Sequence, residues 1–239
     1  MFVVAIHNPL ECGIELKMRL IMKQYISFGT CLLVWVAILF STGCSSTYYG
    51  AMEKVGIHKR DIMVDRVADA RDSQAEAQEQ FQSALDQFNS VVTLKETDLK
   101  KAYDRLNKEY EACSDAAGDV SSRIEKVESV SEDLFKEWQS ELDLYENREL
   151  ARASKKQLNA TRVRYDEMIN HMYRAEKSMD PVLKIFRDNV LFLKHNLNAQ
   201  AIGSLQDEFS NLEMEIDTLI ARMSTAIESS NAFIADMQE

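Results

Sequence analysis

The residues that could carry chemistry are sparse in this chain, and few of them are spaced for a reaction. Four histidines and four cysteines occur among 239 residues. His171 and His195 have no cysteine or acidic partner at the spacing of a metal site. A Gly-rich phosphate loop, a CxxC pair, an HExxH motif and a GxSxG motif are all absent from the sequence. We therefore expect no catalytic residue, no metal and no cofactor.

Cys44 is the cysteine whose surroundings indicate a covalent reaction. It lies behind a strongly apolar run at residues 31–40 and directly follows three small residues, Ser41, Thr42 and Gly43. An apolar core of about 10 residues behind Lys23 is typical of a secretory signal, whereas a membrane-spanning helix needs about 20. The pattern resembles the lipobox of bacterial lipoproteins, although Ser41 stands where that family usually has Leu.

This resemblance implies that the thiol of Cys44 is diacylated and that the chain is cut before it. Residues 1–43 are then a signal peptide. We predict that its beginning, residues 1–17 or residues 1–21, is a mis-assigned start, so that translation begins at Met18 or Met22. Because Ser45 rather than Asp follows the cysteine, the resemblance implies an outer-membrane lipoprotein that faces the periplasm. An uncut, single-span anchor in the inner membrane is the alternative.

The composition predicts long helices. Proline occurs twice and glycine seven times, which is too few turn residues for a sheet protein of this size. We expect an all-α fold without a sheet. The formal net charge of −11 disfavours binding to nucleic acid, because an acidic surface repels phosphates.

A seven-residue apolar repeat runs through the chain after a short tether at residues 44–57. Its first part contains Leu85, Val92, Leu99, Leu106, Cys113, Val120, Val127 and Leu134. A repeat held this long is typical of a coiled coil. We predict one elongated helical domain over residues 58–239: a long coiled coil, a helical hairpin or a bundle of three arms.

The positions of the breaks set the expected arms. The repeat passes Gly118 and Pro181 in phase, which predicts a continuous helix at the glycine and a kink or an in-line restart at the proline. Slips near residues 146–150 and at Gly203 predict interruptions, with Ser204 restarting the last helix. The arms are then about 59–146, 150–200 and 204–237.

Two further features could form sites. Cys113 is either a small buried residue or, in a parallel homodimer, the partner of its own copy in an intermolecular disulfide. Six cations stand close together in an acidic chain: Arg148, Arg152, Lys155, Lys156, Arg162 and Arg164. They either pair with the acidic first arm or with a neighbouring copy, or they contact an anionic surface, such as lipid headgroups or a cell-wall polymer.

Residues 48–85 and 179–206 resemble a proteobacterial lipoprotein family that is catalogued as domain of unknown function 2959. The resemblance implies a helical envelope lipoprotein and brings no catalytic residues. We therefore expect a lipid-anchored structural or interaction protein, not an enzyme. It would be held to the membrane by its N-terminal lipid and would associate with itself or with another envelope protein through helix faces. A membrane-shaping module and a carrier of an apolar ligand are the alternatives.

Overall fold

Four long helices make up the part of the chain that the structure describes. The structure is a computed structural model that describes residues 58–93, 98–196 and 199–238. The helices are α1 Lys59–Thr93, α2 Leu99–Glu141, α3 Arg148–His195 and α4 Ala199–Gln238, with a short 3₁₀ turn at Leu142–Leu144 after α2. No strand occurs in these ranges, so the predicted all-α fold without a sheet is confirmed. All four helices belong to one compact unit, Tyr49–Glu239.

The helices form an up-down-up-down bundle. Each helix packs against the next, and α4 also packs against α1, so that α1 and α3 lie on one diagonal and α2 and α4 on the other. At 1.5 Å per residue the helices are about 50 to 70 Å long, instead of the single arm of about 130 Å that the first prediction requires.

The prediction of one continuous arm over residues 59–146 is wrong, because the chain reverses between α1 and α2. The new helix begins behind Asp98, whose carboxylate accepts a hydrogen bond from the backbone N–H of Lys101 at 3.2 Å. The heptad spacing from Val92 to Leu99 is kept across this reversal, since both helices face the same core. Periodicity alone therefore does not reveal the break.

The predicted end of a helix at Gly203 is also wrong. The helix before it ends at His195, where the backbone N–H of Asn196 donates to the carbonyl of Phe192 at 3.0 Å and the Asn196 side chain donates to the same carbonyl at 2.9 Å. The next helix begins at Ala199, so Gly203 and Ser204 lie inside it. Gly203 is exposed, and no packing contact is lost where its side chain is missing.

The other predicted interruptions have mixed outcomes. The slip near residues 146–150 is confirmed, because Asn147 caps α3 by accepting from the N–H groups of Glu149 and Leu150. Gly118 lies inside α2 as predicted. Helix α3 continues through Pro181 without a restart, with its buried neighbours Met179 and Val182 held in the bundle core.

The core consists of heptad rows from all four helices. The predicted apolar rows are mostly buried, including Leu106, Val120 and Phe186. The sequence interpretation missed the small and polar core positions, because they carry no hydrophobic signal: Ala70, Gln74, Ala77, Ser178, Ala226 and Ser230. Near the end of α4 the core row consists of Ala226, Ser230 and Phe233, while Ile227 and Ile234 beside them are only partly buried.

Candidate functional site

The six predicted cations of α3 divide into two groups. Arg148, Arg152, Lys155 and Lys156 are exposed on the first turns of the helix. Arg152 makes a loose ion pair with Glu149 at 3.4 Å in which both side chains are largely solvated, so the pair adds little stability. These four cations are therefore accessible to a partner.

The other two cations hold the bundle together. The guanidinium of Arg162 donates to the backbone carbonyl of Phe135 at 3.2 Å and lies over the Phe135 ring, 5.4 Å from its centroid. The Nε of Arg164 lies 2.9 Å from Oδ2 of Asp236 on α4. Arg162 and Arg164 are thus engaged by contacts with α2 and α4 of the same chain. Contact with an anionic surface stays a prediction for the four exposed cations.

Exposed apolar side chains accompany these four cations. Leu144 is 78% exposed, Leu150 56% and Tyr145 43%. These side chains belong to the hairpin that joins α2 to α3, residues 141–156. The hairpin also carries four acidic residues, at positions 141, 143, 146 and 149, which balance the four cations, so it has no net charge. Its distinguishing property is the mixture of cationic and apolar side chains, which is typical of surfaces that meet a membrane interface.

This hairpin lies at the end of the bundle where α1 begins. The ammonium of Lys59 lies 2.8 Å from Oε1 of Glu137 near the end of α2, and Arg60 donates to the carbonyl of Met237 near the end of α4. The indole N–H of Trp138 donates to the hydroxyl of Ser154 at 2.9 Å, which fixes the start of α3 beside the same level of α2. Any attachment that precedes α1 therefore joins the bundle at the hairpin end.

Cys113 is buried between α1 and α2. The residue is 1% exposed, and its thiol donates to the carbonyl of Gln80 at 3.8 Å. Desolvation by burial raises the pKa of this thiol to about 12. The reading as a small buried residue fits this geometry. A disulfide with a second copy stays a prediction, and it would require the bundle to open.

The described residues begin at His58. The predicted lipobox at residues 41–43, Cys44 and the tether at residues 44–57 therefore lie outside them. Within the described helices, no group of three or more His, Cys, Asp and Glu side chains is placed to hold a metal ion. No helix in these ranges is both long and apolar enough to cross a membrane.

Charge is unevenly distributed among the helices. α3 carries eleven Lys and Arg against six Asp and Glu, whereas α4 carries one against seven. α1 has four basic and seven acidic residues, and α2 has seven and eleven. The acidity of the whole chain therefore hides one basic helix, which the net charge alone does not reveal.

Taken together, these features define an antiparallel four-helix bundle whose distinctive chemistry lies on its outer faces. The chain belongs to the family described as protein of unknown function (DUF2959), whose model matches residues 48–237. No curated protein and no solved structure matches it.

Proposed function

We propose that this chain is a lipid-anchored lipoprotein of the cell envelope with a structural or interaction role. The observation that carries the role is that the bundle buries its heptad rows within one chain and keeps charged faces outside. Partners would then meet the outer faces, not a cleft. The anchor is supported by the three small residues before Cys44 and by the short apolar run ahead of them.

Mass analysis of the N-terminal peptide tests the anchor. The full chain is expressed in a Gram-negative host, recovered from the outer membrane and digested. The expected N-terminal peptide begins at Cys44 and carries two or three acyl groups. That number is sufficient for stable attachment to the membrane, whereas a single acyl group is not. A Cys44→Ala chain should leave the outer membrane fraction, with Cys113→Ala as the matched control. An unacylated peptide that begins before residue 44 would contradict the anchor.

A second candidate function, direct action on the bilayer, is favoured by the hairpin. Leu144, Tyr145 and Leu150 are exposed beside four cations at the end where α1 begins. An anchor at Cys44 is only 15 positions before Lys59, a span of at most about 50 Å. The full chain in which the four exposed cations, Arg148, Arg152, Lys155 and Lys156, are replaced by Gln should bind less to vesicles containing phosphatidylglycerol. Unchanged binding would remove this candidate.

A further inference from the structure

The two helices on one diagonal of the bundle present opposite charge on their outermost faces. In a heptad-packed helix, the row furthest from the core recurs every seven residues. On α1 this row is exposed and entirely acidic: Asp65, Asp72, Glu79 and Asp86. On α3 it is exposed and contains three lysines and no acid between positions 156 and 191: Lys156, Val163, Asn170, Lys177, Lys184 and Leu191. The two faces are therefore complementary, and they point away from each other.

The acidic row of α1 borders a shallow groove. Glu79 and Asp86 line this groove together with the small residues Ala75 and Ser83 of α1 and with Ile220 of α4. Small residues allow another helix to approach closely, and the two carboxylates stand about two turns apart. Two cations with a seven-residue spacing on a facing helix would meet one carboxylate each.

A direct contact shows which turns of α1 and α3 lie at the same level. The rings of Phe88 on α1 and Phe186 on α3 meet across the diagonal, with their centroids 5.8 Å apart. Because α1 and α3 run in the same direction, residues that have the same spacing as this pair are level. Lys177 is therefore level with Glu79, and Lys184 is level with Asp86.

We propose that copies of this chain associate side by side, with the outermost row of α3 of one copy seated on the acidic row of α1 of the next. The proposal rests on the proposed function in one respect, since a common lipid anchor would hold neighbouring copies at the same level. At equal level, Lys177 of one copy meets Glu79 of its neighbour, and Lys184 meets Asp86.

This contact is head-to-tail. The two faces lie on opposite sides of the bundle, so each copy that uses one face keeps the other free, and the contact builds rows instead of closed dimers. The two rows that flank the lysine row of α3 hold as many exposed cations as exposed acids: Arg152, Arg174, Arg187 and Lys194 against Asp166, Glu167, Asp180 and Asp188. The face therefore stays basic, and the exposed Val163 and Leu191 are covered in the same contact.

Thiol crosslinking of the full chain in intact cells tests the contact. Ser83→Cys and Asp180→Cys are introduced together, both at exposed positions beside the two rows, and a short bismaleimide is added. The expected product is a ladder of dimers, trimers and longer rows. A chain with one of these two substitutions should give no product larger than a dimer, because it has only one introduced cysteine to react. The matched control places exposed cysteines on the other diagonal and within about one turn of the same level, Ser122→Cys with Glu228→Cys, and should give no ladder, as should the parent chain with its native cysteines.

Charge reversal supplies the decisive comparison. In the crosslinking chain, Lys177→Glu with Lys184→Glu should reduce the ladder by at least about tenfold, because like charges then face each other. Adding Glu79→Lys and Asp86→Lys to that chain should restore it. Circular dichroism confirms that each variant remains helical. The proposal is overturned if the chain with Ser83→Cys and Asp180→Cys gives no ladder, or if the charge reversal leaves the ladder unchanged.

Two further readouts separate this proposal from its alternatives. An acylated N-terminal peptide without a ladder overturns the contact alone, and a ladder formed by an unacylated chain overturns only the anchor. If Asp180→Cys is instead shielded from a soluble maleimide by vesicles of phosphatidylglycerol and not by phosphatidylcholine, then α3 faces lipid, and the contact between copies is wrong.

Discussion

At the scale of single residues, Cys113 shows how a cysteine is kept out of redox chemistry. Its thiol is buried and its pKa is raised to about 12, so it is neither accessible nor ionised near neutral pH. A pulse of iodoacetamide on the native full chain should therefore leave Cys113 unmodified, and full modification should need denaturant. Peptide mass mapping gives the modified fraction, with Ser114→Cys as an exposed neighbour that should react at once. Rapid labelling of native Cys113 would show that the bundle opens easily.

Gln74 is a polar residue in a core row. It is fully buried, and neither its amide oxygen nor its amide nitrogen has a hydrogen-bond partner within the described part of the chain. An unsatisfied buried amide costs about 1–3 kcal/mol. We expect Gln74→Leu to raise the free energy of unfolding by about this amount in urea titrations.

Gln78 offers the matched control for that substitution. It lies one turn away but is half-buried, and it donates to the Ser224 hydroxyl on α4 at 3.2 Å. Gln78→Leu removes a hydrogen bond that is made, so it should give no gain in stability. A Gln74→Leu chain that is less stable than the parent would contradict the account of Gln74.

At the scale of helices, Gly118 and Gly203 are weak points that the fold does not require. Both lie in the interior of helices, both are exposed, and a Cβ atom at either position would meet nothing within 4 Å. Gly118→Ala and Gly203→Ala should each raise the free energy of unfolding by about 0.5–1 kcal/mol, and thus the melting temperature by about 1–4 °C. The reverse change at an exposed alanine of α4, Ala221→Gly, should lower it by a similar amount. Loss of stability in Gly203→Ala would indicate that the helix ends near Gly203 after all.

The start of α3 depends on one side chain. The amide oxygen of Asn147 accepts from the backbone N–H groups of Glu149 and Leu150, at 2.9 and 3.3 Å. Asn147→Ala should cost about 0.5–2 kcal/mol, whereas Asn147→Asp should preserve the cap. Thermal melts followed by circular dichroism compare the two. Equal stability of the alanine and aspartate variants would contradict the capping role.

At the scale of the whole molecule, a buried thiol and a buried phenol make the stability of the bundle sensitive to high pH. Burial raises the pKa of the Cys113 thiol and that of the Tyr165 phenol to about 12. The folded state therefore keeps both protons at a pH where the unfolded chain releases them. Their stabilising contribution is complete below pH 9, and it is lost as the pH rises towards 12.

The urea midpoint of the full chain should accordingly fall between pH 8 and about pH 11. A chain with Cys113→Ala and Tyr165→Phe has a lower starting stability but lacks both titrations, so its midpoint should fall less over the same range. Equal slopes for the two chains would show that these groups do not control the alkaline transition.

The sequence by itself determined the class of fold, the heptad rows and the interruption near residues 146–150, because each depends on local composition or on a periodicity that neighbouring residues carry. Only the tertiary structure decided that the chain reverses between α1 and α2, since a heptad repeat looks the same in one long helix and in two helices that share a core. It also placed Gln74, Ala77 and Ser230 in that core, where the packing of large neighbours, not their own hydrophobicity, buries them. The opposed faces of α1 and α3 likewise follow from the diagonal that the packing assigns to these two helices.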